Sequence, residues 1–117
     1  VGLTITTDDE KIKQIFEPNS PSIKERIETL KELHDERIET YVFVGPILPQ
    51  NPEKLASKLV GKIDWALIDK MNYSYKVAKL YKQHKLEWAL EEEYFNDVAK
   101  TLEKSFREAK IPVTFCF

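Results

Sequence analysis

Residues 40–48 read Thr-Tyr-Val-Phe-Val-Gly-Pro-Ile-Leu, a run without a single charge. A strand with one face in water alternates apolar and polar residues. A near-continuous apolar run belongs instead to a parallel strand that is covered on both faces. Parallel strands need crossover connections, so helices are predicted on either side of this one. The rest of the chain supplies them. Val1 to Thr7 is rich in β-branched residues and reads as a strand, as do Ile63 to Ile68 and Val113 to Phe117.

Between these stretches the period changes from two to that of a helix. Asp8 and Asp9 are N-cap candidates for a short helix holding Ile12, Ile15 and Phe16, which Glu17-Pro-Asn-Ser-Pro21 interrupts. Ser22 followed by Glu25 has the form of a capping box, and Ile23, Ile27, Leu30 and Leu33 form the apolar stripe of the next helix. Pro52 suits the first turn of a helix carrying Leu55, Ala56, Leu59 and Val60 and ending at Gly61. Residues 73–90 are expected to be partly helical. A last helix from Glu91 to Lys110 aligns Tyr94, Phe95, Val98, Leu102, Phe106 and Ala109. The alternation predicts an α/β fold with about four mostly parallel strands and flanking helices, residues 1–117 forming a single β/α unit. Closure of the common barrel takes eight strands, so four are too few to close one.

Composition narrows the class. Apolar residues are 42% and charged residues 32%, with a formal charge of −2, which describes a globular chain without a bias towards polyanions. No apolar run approaches the roughly 20 residues of a membrane span, so no membrane partner is expected. One cysteine, Cys116, permits no internal disulfide, which fits a reducing, cytoplasmic setting. Its apolar surroundings predict a packed strand residue. The chain opens on Val1 directly in a β-prone run, the expected appearance of a segment cut from a longer protein.

In parallel β/α folds the working groups stand at the carboxyl ends of strands. Here those positions are Thr4, Thr6, Thr7 and Asp8; Gly45, Pro46 and Ile47; and Asp69, Met71 and Asn72. Glycine followed by proline in an apolar run permits close approach of a ligand and ends strand pairing. Glu17 and Arg26 flank the rigid Pro-Asn-Ser-Pro link, and Arg26, on the first turns of a helix, is a candidate bidentate grip for a carboxylate. His34 and His84 lack ligand-spaced companions and read as surface helix residues. The lysine-and-aromatic mix of residues 73–88 is expected to serve helix packing rather than a nucleic acid.

Taken in order and spacing, Leu3-Thr-Ile-Thr-Thr7, Phe16-Glu-Pro-Asn-Ser-Pro-Ser22, Glu25-Arg-Ile-Glu-Thr-Leu30 and Val42-Phe-Val-Gly-Pro-Ile-Leu-Pro49 resemble the spore photoproduct lyase-like branch of the radical SAM enzymes, often labelled DNA repair photolyases. The resemblance covers about the first half of the chain. It implies the carboxyl-terminal half of a radical SAM partial barrel, whose missing partner half carries a CxxxCxxC loop, a 4Fe-4S cluster and the S-adenosylmethionine chelated to it. The implied chemistry is lyase-like reductive cleavage of S-adenosylmethionine.

By the same resemblance, Thr4 meets the ribose side of that cofactor, Arg26 its carboxylate, with Glu17 bracing the loop, and residues Val44 to Leu48 its adenine. Gly45 stands where the family often has alanine. With one cysteine, the chain alone is expected to hold no cluster, no tightly bound cofactor and no activity. Nucleic acid is implied as a partner by family analogy only, and self-association of the chain is a further expectation. Two alternatives stand beside this reading: a non-catalytic β/α binding or assembly module, and part of an ordinary barrel hydrolase or aldolase.

Overall fold

A computed structural model describes residues 1–69 and 75–116. Met71, Asn72, Tyr73 and Phe117, named above, lie outside the described residues. In chain order the elements are β1 (Gly2–Thr4), α1 (Glu10–Phe16), α2 (Ile23–Asp35), β2 (Tyr41–Val44), α3 (Pro52–Leu59), β3 (Trp65–Ile68), α4 (Tyr75–Gln83), a 3₁₀ turn (Glu87–Leu90), α5 (Glu92–Glu108) and β4 (Val113–Phe115).

The caps follow the sequence. Asp9 accepts from the Lys11 amide, Ser22 from the Glu25 amide and Asn51 from the Lys54 amide. At α2 the Glu25 carboxylate accepts from the Ser22 hydroxyl at 3.2 Å, closing the cap from the side chain.

The four strands are all parallel and lie in the order β1-β2-β3-β4. Sequential order with right-handed crossovers carries every connecting helix to the same side of the sheet. The core accordingly joins Val42, Val44, Ala66, Ile68 and Val113 of the sheet with Ile23, Ile27 and Leu30 of α2, Leu55, Ala56 and Leu59 of α3, and Phe95, Val98, Leu102 and Phe106 of α5. A second cluster caps the carboxyl ends of the strands, where Leu48, Tyr81 and Ala89 meet Ile12 and Phe16 of α1.

The opposite face of the sheet is not covered by these helices, and its residues stack in tiers. Register places Gly2, Tyr41 and Trp65 in the lowest row and Thr4, Phe43, Leu67 and Thr114 in the next. Tyr41, Phe43, Trp65 and Leu67 are each half-buried, whereas Thr4 and Thr114 are exposed. The Tyr41 ring lies where a Gly2 side chain would stand, so the glycine makes room for an aromatic row. Tyr41 and Trp65 stack with centroids 4.0 Å apart and planes 11° from parallel.

The strands are shorter than their apolar runs. β1 ends at Thr4, and residues 46–48 leave the ladder after a cis Gly45–Pro46 peptide. One packing expectation is corrected. Cys116 is exposed, because it follows the last β4 residue at the sheet's upper edge. In the stretch expected to serve helix packing, Tyr81 is wholly buried, and Trp88, 54% exposed on the 3₁₀ turn, meets Tyr94 of α5 edge to face.

Candidate functional site

The carboxyl ends of β1 and β2 carry the densest polar network. The Thr6 hydroxyl donates to Glu17 Oε2 at 3.1 Å. The same oxygen lies 3.6 Å from Arg26 Nη1. Arg26 Nη1 also donates to the Thr4 carbonyl at 2.8 Å, while Nε and Nη2 both donate to the Pro21 carbonyl at 3.0 and 2.7 Å. Arg26 is only 8% exposed. The sequence-predicted set Thr4, Thr6, Glu17 and Arg26 is therefore brought together, but the guanidinium turns inward. It spends most of its fork of five donors on two backbone carbonyls and ties the link to the end of β1.

Gly45, Pro46 and Ile47 separate. Gly45 continues the uncovered face above Phe43, whose ring carbons lie 2.8 Å from where a Cβ would stand, with Asp69 Cβ 3.1 Å away. Any side chain at this position would displace the ring or the neighbouring strand end. Asp69 extends the ladder by donating its amide to the Val44 carbonyl at 3.0 Å. Ile47 is wholly buried within the helix-side core, so its side chain shapes the turn from beneath.

Sequence reasoning missed the lacing that holds these loops. Gln50 Nε2 donates to the carbonyls of Thr6 at 2.8 Å and Leu48 at 3.1 Å. The Thr7 hydroxyl donates to the Pro49 carbonyl at 2.7 Å, and the Asn51 amide to Asp8 Oδ1 at 2.7 Å. The Gln50 amide donates to the Tyr94 hydroxyl at 3.0 Å, which brings α5 into the network. Burial raises the Tyr94 phenol above its ordinary value, against the lowering effect of that amide and together with the Asp8 charge. Burial, with Tyr94 alongside, pushes the wholly buried Tyr81 phenol up further still. Gln50 Oε1 and the Tyr81 hydroxyl are buried with no hydrogen-bond partner among the described residues. A cleft of about 410 Å³ opens beside this lacing, lined by residues that include Asp8, Asp9, Ile12, Gln50 and Trp88.

Two further ionisable side chains fall outside the predicted set. Lys13, on α1, is only 5% exposed. At the opposite end of the sheet, His34 Nδ1 lies 3.7 Å from Asp64 Oδ2, which also accepts the Thr40 amide at 2.8 Å. His34 lacks a ligand-spaced companion in the sequence, and the fold brings it a single carboxylate from thirty residues away, Asp64 at the entry to β3. Among the described residues, no group of three or more His, Cys, Asp or Glu is placed to hold a metal ion, and no helix is long and apolar enough to cross a membrane.

Comparison with known proteins gives one informative match. A stretch of 49 residues is 45% identical to an uncharacterized protein of Methanocaldococcus jannaschii, covering 42% of this chain and 19% of that protein. The match thus spans less than a fifth of the relative's length, and the relative brings no activity with it. No family model matches the chain, and no solved structure matches it.

Proposed function

We propose that this chain forms one wall of a radical S-adenosylmethionine barrel, in an enzyme of the spore photoproduct lyase-like kind. The observation that carries the reading is the one-sided sheet: four sequential parallel strands, helices on one face, and tiers of aromatic and small residues on the other. Open doubly wound sheets reverse their strand order and take helices on both faces. A wall whose inner face awaits further strands does neither. The relative is several times longer than the matched stretch, which leaves room for such strands.

In this reading, Thr4 and Gly45-Pro46 line the upper inner wall near S-adenosylmethionine. Arg26 and Glu17 hold the β1 end in shape, and Ile47 supports the turn from the core. When bound, the cluster and cofactor supply reductive cleavage to a carbon-centred radical; the chain's own residues orient the cofactor and exclude water. The cluster itself does not fit this chain. The sequence has one cysteine, and the described residues offer no ligand group, so its ligands belong to another part of the protein. A nucleic acid substrate, a DNA-repair role and a cytoplasmic location follow by family analogy.

A non-catalytic binding or assembly module is the second reading. It is favoured by the way Arg26, Glu17 and Thr6 satisfy one another. The full-length protein, reconstituted with iron and sulfide under anaerobic conditions, separates the two. A four-iron cluster spectrum and reductant-dependent release of methionine from S-adenosylmethionine are expected. Their absence from a folded, reconstituted protein leaves the module reading.

A further inference from the structure

The cleft of about 410 Å³ beside the loop lacing joins an exposed aromatic wall to two carboxylates. It lies among the loops that follow β1 and β2 and the 3₁₀ turn that precedes α5. Ile12 and Leu86, which pack on the second apolar cluster, line it together with Asp8, Asp9, Gln50 and Trp88. Among the described residues that line it there is no lysine, arginine or histidine.

The aromatic wall is exposed and yet held. Trp88 is 54% exposed, and Tyr94 meets it edge to face with centroids 5.2 Å apart and planes at 89°. Tyr94 is fixed in turn by accepting the Gln50 amide at 3.0 Å. Of the aromatic side chains, indole attracts a cation to its face most strongly. The carboxylates are oriented but not spent. Asp8 Oδ1 accepts the Asn51 amide at 2.7 Å and Asp9 Oδ1 the Lys11 amide at 2.8 Å. Among the described residues neither aspartate forms an ion pair. The Asp8 charge also reaches the Tyr94 hydroxyl, whose proton it helps to retain. Gln50 adds an acceptor: its Nε2 is given to the Thr6 and Leu48 carbonyls, while its Oε1 is buried with no partner among the described residues. An unpaired buried acceptor is costly, and a donor delivered through the cleft would satisfy it.

A divalent cation such as calcium takes six to eight oxygen ligands, and no group of three or more His, Cys, Asp or Glu is placed for one among the described residues. Two carboxylates beside an indole suit an organic cation instead. We propose that this cleft binds a small organic cation, whose ammonium or guanidinium group lies on the Trp88 indole and is held by the free oxygens of Asp8 and Asp9. Thr4, Gly45 and Pro46, which carry the cofactor reading, do not line the cleft, so binding here goes beyond that reading and is independent of it.

The test uses the chain as it stands, titrated with agmatine and with putrescine at constant ionic strength, and with magnesium chloride as the control. The Trp88 indole N–H resonance, assigned by its loss in Trp88→Phe, is followed by NMR. A saturable shift is expected with at least one organic cation while the Trp65 indole stays still. A response to agmatine alone assigns a guanidinium ligand, and a response to putrescine an ammonium. Asp8→Asn keeps the acceptor for the Asn51 amide but removes the charge, and should weaken binding about tenfold. Trp88→Ala should weaken it about threefold or more. No saturable shift with either organic cation, an equal shift with magnesium, or undiminished affinity in Asp8→Asn overturns the proposal. Should Asp8→Asn fail to fold, Asp9→Asn, which retains a good N-cap for α1, decides in its place.

Discussion

Arg26 and Pro21 are joined twice, through Nε at 3.0 Å and Nη2 at 2.7 Å to a single carbonyl five residues back. With Nη1 on the Thr4 carbonyl at 2.8 Å, the side chain clamps the link between α1 and α2 onto β1. Lysine has the charge but not the planar fork.

This clamp predicts a stability effect in the chain alone. Arg26→Ala leaves two carbonyls without their donors, and an unmade hydrogen bond of a buried group costs about 1–3 kcal/mol. A loss of about 2–4 kcal/mol is expected by urea denaturation, with Arg26→Lys recovering less than half. In the full-length protein, the cofactor reading adds a loss of S-adenosylmethionine affinity through the displaced end of β1, since the Arg26 donors are committed to Pro21 and Thr4. Unchanged stability in Arg26→Ala would remove the clamp from this account.

The second prediction concerns the lacing between loops. Tyr94→Phe deletes the acceptor for the Gln50 amide while keeping the ring and its edge-on contact with Trp88. About 1–2 kcal/mol of stability should be lost. Amide exchange should rise at Gln50 and Asn51 before it rises in β2. Exchange that rises evenly across the sheet would mean that Tyr94 acts through the core instead.

Alkaline pH tests the same region. Tyr81 and Tyr94 both hold their protons more tightly folded than the ordinary tyrosine value of 10.0. Above about pH 10 the unfolded chain therefore binds fewer protons than the folded one, and stability falls as pH rises. Melting temperatures should be flat up to about pH 9 and drop beyond pH 10. Tyr81→Phe should make that drop shallower, and an equally steep drop in the variant would exclude Tyr81 as its source.

The parts legible in the sequence are those that local chemistry determines. Asp9, Ser22 and Pro52 mark helix starts because caps are satisfied within three residues. The parallel sheet follows from the uncharged run at 40–48 and the helices on either side of it. The site was half legible. Arg26 and Glu17 were found by residue type, but the Arg26 partners are carbonyls, and a carbonyl carries no mark in a sequence. Gln50, Tyr94 and Asp64 act across 44, 44 and 24 residues respectively, in contacts that only the folded sheet creates.

The last prediction concerns the uncovered face. Tyr41, Phe43, Trp65 and Leu67 form an uncharged surface on the sheet, and Thr4 and Thr114 flank it. Among the described residues, β1 and β4 stand first and last in the strand order, as edge strands of the sheet. A twofold axis along the strand direction would set β4 of one copy beside β1 of the other with all strands still parallel. The result is an eight-stranded arrangement with both aromatic faces inside. Free in solution, the chain should therefore dimerise at micromolar concentration. On the barrel reading proposed above, further strands of a longer protein would compete for the same face and keep it monomeric. Leu67→Lys, which sets a charge in the middle of the face without touching the helix-side core, should return the chain to a monomer with its helix content intact. Sedimentation of the wild-type chain as a clean monomer, with freely exchanging amides in Gly2–Thr4, would rule out pairing through this face.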